Sequence, residues 1–273
     1  MGSSFTYAQA ARPRIVRQRR FASLRSIFAL MLREMASTYG QSPGGDFWAI
    51  FEPVAGVAIL TFAFSFLFAK PPIGTSFELF YATGMLPFAM FTTIANRVGT
   101  ALVFSKPLLT FPAVTFVDAI VARFLVNALT ELMVFVLVIC GIIFFYQTRA
   151  VPDIGHIVES LALVSLFGLG LGTLNAYLFM RFHIWNVAWS LISRPLFIIS
   201  GVFFMYDKLP ADLKVWLWYN PLVHCVGRMR AGFYPSYDDH YVSTAYVCGV
   251  SLVLLLSGLF LLRRNAKGLL HEG

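Results

Sequence analysis

Charge is what this sequence has least of. Asp, Glu, Lys and Arg make up 12% of its 273 residues, where a soluble domain carries about 25%. So few charged groups cannot coat a water-facing surface, and a purely soluble fold is excluded. Cysteine is scarce as well. Cys140, Cys225 and Cys248 form no CxxC pair, which excludes a disulfide framework and a cysteine-based zinc site. The five histidines (156, 183, 224, 240 and 271) are scattered. None pairs with another at helical metal spacing, so no metal is expected. There is no GxxxxGK(S/T) loop, so ATP is not bound here through a Walker A motif. Neither HExxH nor GxSxG occurs, and no internal repeat is visible. No cofactor is expected in this chain, and no enzymatic activity.

What the chain has in abundance is apolar surface. Residues AVILMFWYC account for 58%, and the mean hydropathy is +0.74. Disorder over the whole length is excluded on that ground. The formal net charge is +8, which points to an anionic partner. The position of the few charges then becomes informative. Seven basic residues precede residue 34: Arg12, Arg14, Arg17, Arg19, Arg20, Arg25 and Arg33. Residues 1–20 lack the apolar core of a secretory signal and read as a flexible basic arm resting on anionic lipid. Nucleic acid is not an expected partner, because the remainder is so apolar.

Residues 21–40 change character. At about 100° per residue, Phe21, Leu24, Ile27, Phe28, Met31, Leu32, Met35 and Tyr39 share one sector. Arg25, Ser26, Arg33 and Glu34 fall in the other. This is an amphipathic helix, and its basic polar face suits a position flat at the cytoplasmic interface. Six apolar stretches follow, over 48–69, 79–97, 114–146, 157–180, 187–206 and 242–262. Each approaches or exceeds the ~20 residues that cross a ~30 Å hydrocarbon layer. In lipid they must be helices, because every backbone N–H and C=O needs an internal partner. With the N-terminus inside, fourteen basic residues lie on the cytoplasmic side and six outside. Such a bias predicts both termini inside and an even number of spans. The expected fold is therefore an all-α membrane protein. It has an interface helix, a transmembrane domain of six helices over 48–265, and two short re-entrant helices between the fifth and sixth spans. Those two are expected near 211–219 and 221–233, where Asn220 and Pro221 read as an N-cap and first helical residue.

Polar residues inside the apolar stretches are few. Arg123, Asn127 and Glu131 recur every four residues and share a helix face. A charge at mid-bilayer costs about 2.5–3.5 kcal/mol, so this stripe must face protein or water. It either ties helices together, pairing Glu131 with Arg123 or Arg194, or walls a polar conduit. Arg194 in the fifth stretch carries the same two readings. Gly168, Gly170 and Gly172 sit within a span and read as close helix packing. Asp238 and Asp239 read as a solvated outer turn. Trp48, Phe51, Trp185, Trp189, Trp216, Trp218 and Tyr219 lie at the mouths of spans. Interfacial belts explain such aromatics; a slide for sugar rings is the sharper alternative.

Several longer words in the sequence carry a resemblance. Arg33, Glu34 and Gly40, followed by Trp48, Ala49, Ile50, Glu52 and Pro53, look like the interface-helix junction of ABC exporter permeases for polysaccharides. ATGMLPFAMF (82–91) and DAIVAR (118–123) look like their second- and third-span openings. RPLFIISGVFFMYDKLP (194–210), then Pro221, Leu222, His224 and Arg230, resemble the signature before the last span. The likeness runs over about 21–265, and is to the capsular polysaccharide export permeases of Gram-negative bacteria in particular. The long arm 1–20 and the Gly- and Pro-rich Gln41–Gly45 depart from it.

The resemblance implies a multi-pass protein of the bacterial inner membrane, working as a homodimer with two copies of a separate ABC ATPase. ATP and Mg would be held by that partner. The cargo would be a lipid-linked acidic polysaccharide, passed to a periplasmic polysaccharide co-polymerase and an outer-membrane export protein. The ATPase would dock through Arg25, Arg33, Glu34, Ser105, Lys106 and Pro107. The glycan path would involve Arg33, Trp48, Phe51, Arg97, Arg123, Asn127, Glu131, Arg181, Trp185, Trp189 and Arg194. A periplasmic re-entrant region would contain Trp216, Trp218, Tyr219, Pro221, His224, Arg228 and Arg230. Charge-neutral changes at Arg123 or Arg194 are expected to block export while ATPase association persists. The same architecture could serve O-antigen or teichoic-acid export. A membrane-embedded glycan-modifying enzyme is the alternative from another class, with only Glu131 and the Asp238/Asp239 turn as candidate acids.

Overall fold

The computed structural model describes residues 22–39, 45–68, 70–109, 114–146, 148 and 152–271. The arm expected over 1–20 lies outside them. Among the described residues all regular structure is helical: α1 (Ala22–Tyr39), α2 (Gly45–Leu67), α3 (Phe77–Gly99), α4 (Ala101–Leu109) and α5 (Phe116–Tyr146). There follow α6 (Ile154–Arg181), α7 (Trp185–Ile199), a 3₁₀ turn (Tyr206–Lys208), α8 (Ala211–Trp218), α9 (Pro221–Phe233) and α10 (Thr244–His271).

Local chemistry explains where these helices start. Ser76 accepts from the Leu79 N–H to cap α3. At α5, Thr115 and Asp118 cap each other: the Asp118 carboxylate accepts from the Thr115 N–H at 2.9 Å and the Thr115 hydroxyl accepts from the Asp118 N–H at 3.2 Å. This is a reciprocal capping box. Asp153 caps α6 through the N–H groups of Gly155 and His156. Its hydrogen bond to the His156 side chain, with those two N–H groups, holds its carboxyl below the ordinary value. Asn220 caps α9, with Pro221 in the first turn, as the sequence predicts.

Among the described residues, five helical segments are long and apolar enough to cross a membrane: 50–67, 77–106, 116–146, 154–181 and 244–265. The second joins α3 to α4. At 31 residues, α5 is about 46 Å long and overshoots the hydrocarbon layer. The expected fifth span, 187–206, takes a different form. Its helix, α7, has 15 residues and reaches only about 22 Å. The chain breaks at Ser200 and Gly201, where Gly201 adopts φ +88°, a left-handed conformation that only glycine takes without strain.

The bundle is built around α6, which packs most extensively on α10 and α3 and also on α9. Phe80, Phe91, Ile94, Val98, Val164 and Ala176 are fully buried, and the Phe91 and Phe167 rings stack at 5.0 Å. By contrast, α7 buries only Trp189, and α2 leaves Ile59, Phe62 and Phe66 exposed. Apolar exposure on this scale suits lipid or protein neighbours.

Gly168 and Gly172 of α6 lie against Ile94 and Val98 of α3, and Gly170 lies against α10. A methyl group at Gly170 would overlap the Ser251 carbonyl oxygen, which is backbone and cannot swing away. Gly170→Ala is therefore expected to destabilise the bundle by about 1–3 kcal/mol. Gly141→Ala, where a methyl group meets open space, should be neutral or slightly stabilising. Thermal unfolding in detergent compares the two. Equal melting points would sink the close-packing account.

Candidate functional site

Two layers of charge interrupt this apolar bundle. The inner one forms where α1 meets α3, α4 and α5. Helix α1 does not simply split into an apolar and a polar side. Leu30 and Glu34 are buried, with Ile27 and Met31 packed against the core. Leu24, Phe28, Leu32 and Met35 remain exposed at spacings of four, four and three, one stripe along the helix. Arg25 is exposed too. Glu34, which periodicity assigns to the polar sector, turns into the protein instead.

Its partner is Arg123 of α5. The Arg123 Nε donates to Glu34 Oε1 at 2.9 Å, and the two side chains are 8% and 4% exposed. The Nη1 group of Arg123 donates to the Arg97 carbonyl at 3.3 Å and to the Thr100 hydroxyl at 3.0 Å. Thr100 in turn donates to the Asn96 and Arg97 carbonyls at the end of α3. The guanidinium of Arg123 lies 4.3 Å from the centre of the Phe104 ring, and that of Arg33 lies 4.9 Å from it. One arginine thus ties together four helices. The expected pairing of Glu131 with Arg123 or Arg194 is not what forms: the acid that Arg123 meets is Glu34.

Above this junction the polar stripe continues. Asn127 is buried and donates to the Arg123 carbonyl of its own helix at 2.7 Å. Glu131 is half-buried. It lies beside Thr93 and within electrostatic reach of Glu52 and Arg97. Asn96, Arg97 and Glu52 are exposed. Thr93, Asn96, Arg97 and Thr100 fall at i, i+3, i+4 and i+7, one face of α3. That spacing was visible in the sequence, and it is the signal by which Thr93, Asn96 and Thr100 could have been found.

The two tryptophans of α7 are pinned rather than splayed. Trp189 Nε1 donates to Asn96 Oδ1 at 2.6 Å, and Trp185 Nε1 donates to Asn175 Oδ1 at 3.0 Å. Arg181 is exposed, with its guanidinium 6.0 Å from the Phe182 ring. Arg194 is exposed on α7 and makes no hydrogen bond or ion pair to the described residues. Phe51 is exposed, Ser105 is buried and Lys106 half-buried. The side chains of Trp48 and Pro107 lie outside the described ones.

The outer layer surrounds α9. Arg230 is only 1% exposed. It donates to the Phe204 carbonyl at 2.6 Å and the Val202 carbonyl at 2.9 Å, and its guanidinium lies 4.2 Å from the Phe80 ring centre. The break after α7 is held by this side chain together with Asn220, whose Nδ2 donates to the Ile199 carbonyl at 3.0 Å. His224 is buried, and burial lowers the imidazole pKa below its ordinary value. Its Nδ1 accepts from the Ser243 N–H at 3.2 Å, so Nε2 carries the proton and donates to the Trp218 carbonyl at 2.7 Å. Trp218 donates to the Tyr241 carbonyl at 3.1 Å and packs edge-on to His224. Arg228 bridges Glu159 at 3.0 Å and Asp239 at 2.5 Å, which ties α9 to α6 and to the turn before α10. Asp239 is thereby an ion-pair partner, whereas Asp238 is exposed. Trp216 and Tyr219 are exposed, and Pro221 opens α9. Among the described residues no cluster of His, Cys, Asp and Glu could hold a metal ion.

Comparison with known proteins places these features in context. A family model described as "ABC-2 type transporter" matches residues 25–234. The Polysialic acid transport protein KpsM of Escherichia coli is 28% identical over 245 residues, which cover 90% of this chain and 95% of that protein. The Capsule polysaccharide export inner-membrane protein CtrC of Neisseria meningitidis serogroup A is 27% identical over 244 residues, covering 89% of this chain and 92% of that one. The Capsule polysaccharide export inner-membrane protein BexB of Haemophilus influenzae is 26% identical over 245 residues, with 89% and 92% covered.

Proposed function

The chain belongs to the ABC-2 type transporter family as a membrane subunit, and from that premise we propose that it exports a lipid-linked acidic capsular polysaccharide across the bacterial inner membrane. The observation that carries the reading is the charged stripe of α3 and α5. It rises from the Glu34–Arg123 junction through Arg97 and Thr93 to Glu131 in a bundle that is otherwise apolar. The substrate class is supported by the printed names of relatives aligned over nine-tenths of the chain.

In this reading two copies of the chain enclose the conduit, and two copies of a separate ATPase supply ATP hydrolysis with Mg. A single chain leaves α2 and α7 with little cover, which a second copy would provide. Both termini are cytoplasmic, in keeping with the distribution of Lys and Arg. Residues 200–205 extend α7 toward the outer face and complete a sixth crossing. The short α8 and α9 form the re-entrant region of the outer leaflet, in which α9 is covered by α3 and α6 and α8 leans on α9. A periplasmic co-polymerase and an outer-membrane export protein receive the polymer.

The guanidinium of Arg194 is free to pair bidentately with a phosphate or carboxylate of the glycan. Arg194→Gln is expected to lower surface polysaccharide at least about tenfold while the complex with the ATPase still copurifies. Deleting the gene should leave polymer trapped inside the cell, and the intact chain should restore export. Normal surface polymer in the deletion strain would refute the assignment. Normal export by the Arg194 variant would remove that residue from the path.

A further inference from the structure

Phe104 carries no charge, and nothing in the sequence draws attention to it. The structure places it where three helices converge. It lies on α4, half-buried, immediately before Ser105 and Lys106. The guanidinium groups of Arg33 on α1 and Arg123 on α5 both lie over its ring, at 4.9 and 4.3 Å. The face of an aromatic ring is electronegative and attracts a cation, most strongly where water is excluded. For Arg33 this contact is decisive. Its Nη1 is buried without a hydrogen-bond partner, so the ring is what the structure offers its guanidinium. Arg123 also holds the junction between α3 and α4, through the Arg97 carbonyl and the Thr100 hydroxyl on its α3 side and the Phe104 ring on its α4 side. A displacement of α4 against that junction must therefore either break the ring contacts or carry α1 and α5 with it.

We propose that Phe104 is a positioning residue for energy coupling: its ring is the bearing through which displacement of α4 reaches the interface helix and the charged stripe of α5 together. This rests on the reading that a partner ATPase pushes on α4 near Ser105 and Lys106. The role belongs to the aromatic face and not merely to apolar bulk. Leucine or methionine would fill much of the same volume without attracting either guanidinium.

The test uses the full chain in complex with its ATPase, reconstituted in lipid vesicles, with Phe104→Leu, Phe104→Met and Phe104→Tyr compared. Glycan moved per ATP hydrolysed is one readout, and hydrogen exchange across residues 30–36 of α1 is the other. The Leu and Met variants should keep hydrolysing ATP but move about fivefold less glycan per ATP, with faster exchange in α1. Tyr, which keeps the ring face, should behave as the unmodified chain. Arg33→Gln removes the cation instead of the ring, and should speed exchange in α1 as Leu does without disturbing the core. Normal coupling in Phe104→Leu overturns the proposal, as does unchanged α1 exchange in Arg33→Gln or a Tyr variant as defective as Leu. If the unmodified complex moves no glycan, the functional reading fails by itself. The exchange comparison then still decides the role of Phe104: α1 loosened by Leu and not by Tyr upholds it, and equal exchange in both overturns it.

Discussion

Arg123→Met should loosen α1 from the bundle and cost about 3–5 kcal/mol of stability, because it removes one partner of a buried ion pair. The cost does not come from losing an attractive pair as such. Two charges buried together roughly offset their desolvation, whereas taking one away leaves the desolvation of the other less compensated. A double variant, Glu34→Leu with Arg123→Met, should therefore recover most of the lost stability. It should not recover polysaccharide export, because the tie from α1 to Arg97 and Thr100 would still be gone. Thermal unfolding in detergent reads the stability cycle, and trypsin cleavage at Arg25 and Arg33 reads the release of α1. A single variant that melts with the unmodified chain would mean that the pair with Arg123 is not what fixes α1 to the bundle. This differs from Arg194→Gln, where an exposed residue is changed and the fold should survive. The sequence alone placed Arg123 and Arg194 on the same footing. Burial separates them.

The second large effect is expected at Arg230. Arg230→Met leaves the Val202 and Phe204 carbonyls without their donor, and Val202 is fully buried. Each stranded acceptor costs about 1–3 kcal/mol, so a loss of about 2–6 kcal/mol is expected. Hydrogen exchange should rise over residues 200–206 before it rises in α6. Arg230→Lys keeps the charge but not the planar fork that reaches two carbonyls at once, and should fall between the two. If Arg230→Met loses stability without loosening 200–206, the guanidinium is not what holds the break after α7. Export should fall in parallel with stability, since α7 carries Arg194, Trp185 and Trp189.

Several helices were legible residue by residue. The Asn220–Pro221 pair marks the start of α9, and the expected 221–233 is the helix observed. The expected 211–219 differs from α8 by one residue. Caps and proline act within a turn of their own position, so local sequence suffices to locate them. The end of α7 was not legible in the same way. Its apolar run continues to residue 206, while the helix stops at Ile199. What ends it is Gly201 together with a guanidinium from α9, and the hydrogen bonds from Arg230 to Val202 and Phe204 span 28 and 26 positions.

The same division runs through the site. Composition and periodicity by themselves determined that this chain is helical, lies in a membrane, opens with an amphipathic helix and keeps a handful of charges among apolar residues. Those properties follow from hydropathy, which each residue carries with it. Only the tertiary structure decided what the charges do. Glu34 lies on the face that periodicity calls polar, yet it is buried against Arg123, 89 positions away. Trp185 and Trp189, read as belt or sugar slide, are tied by their indole N–H groups to Asn175 and Asn96. A buried charge or N–H must find a partner, but the identity of that partner is set by which helices pack together, and no local pattern records it.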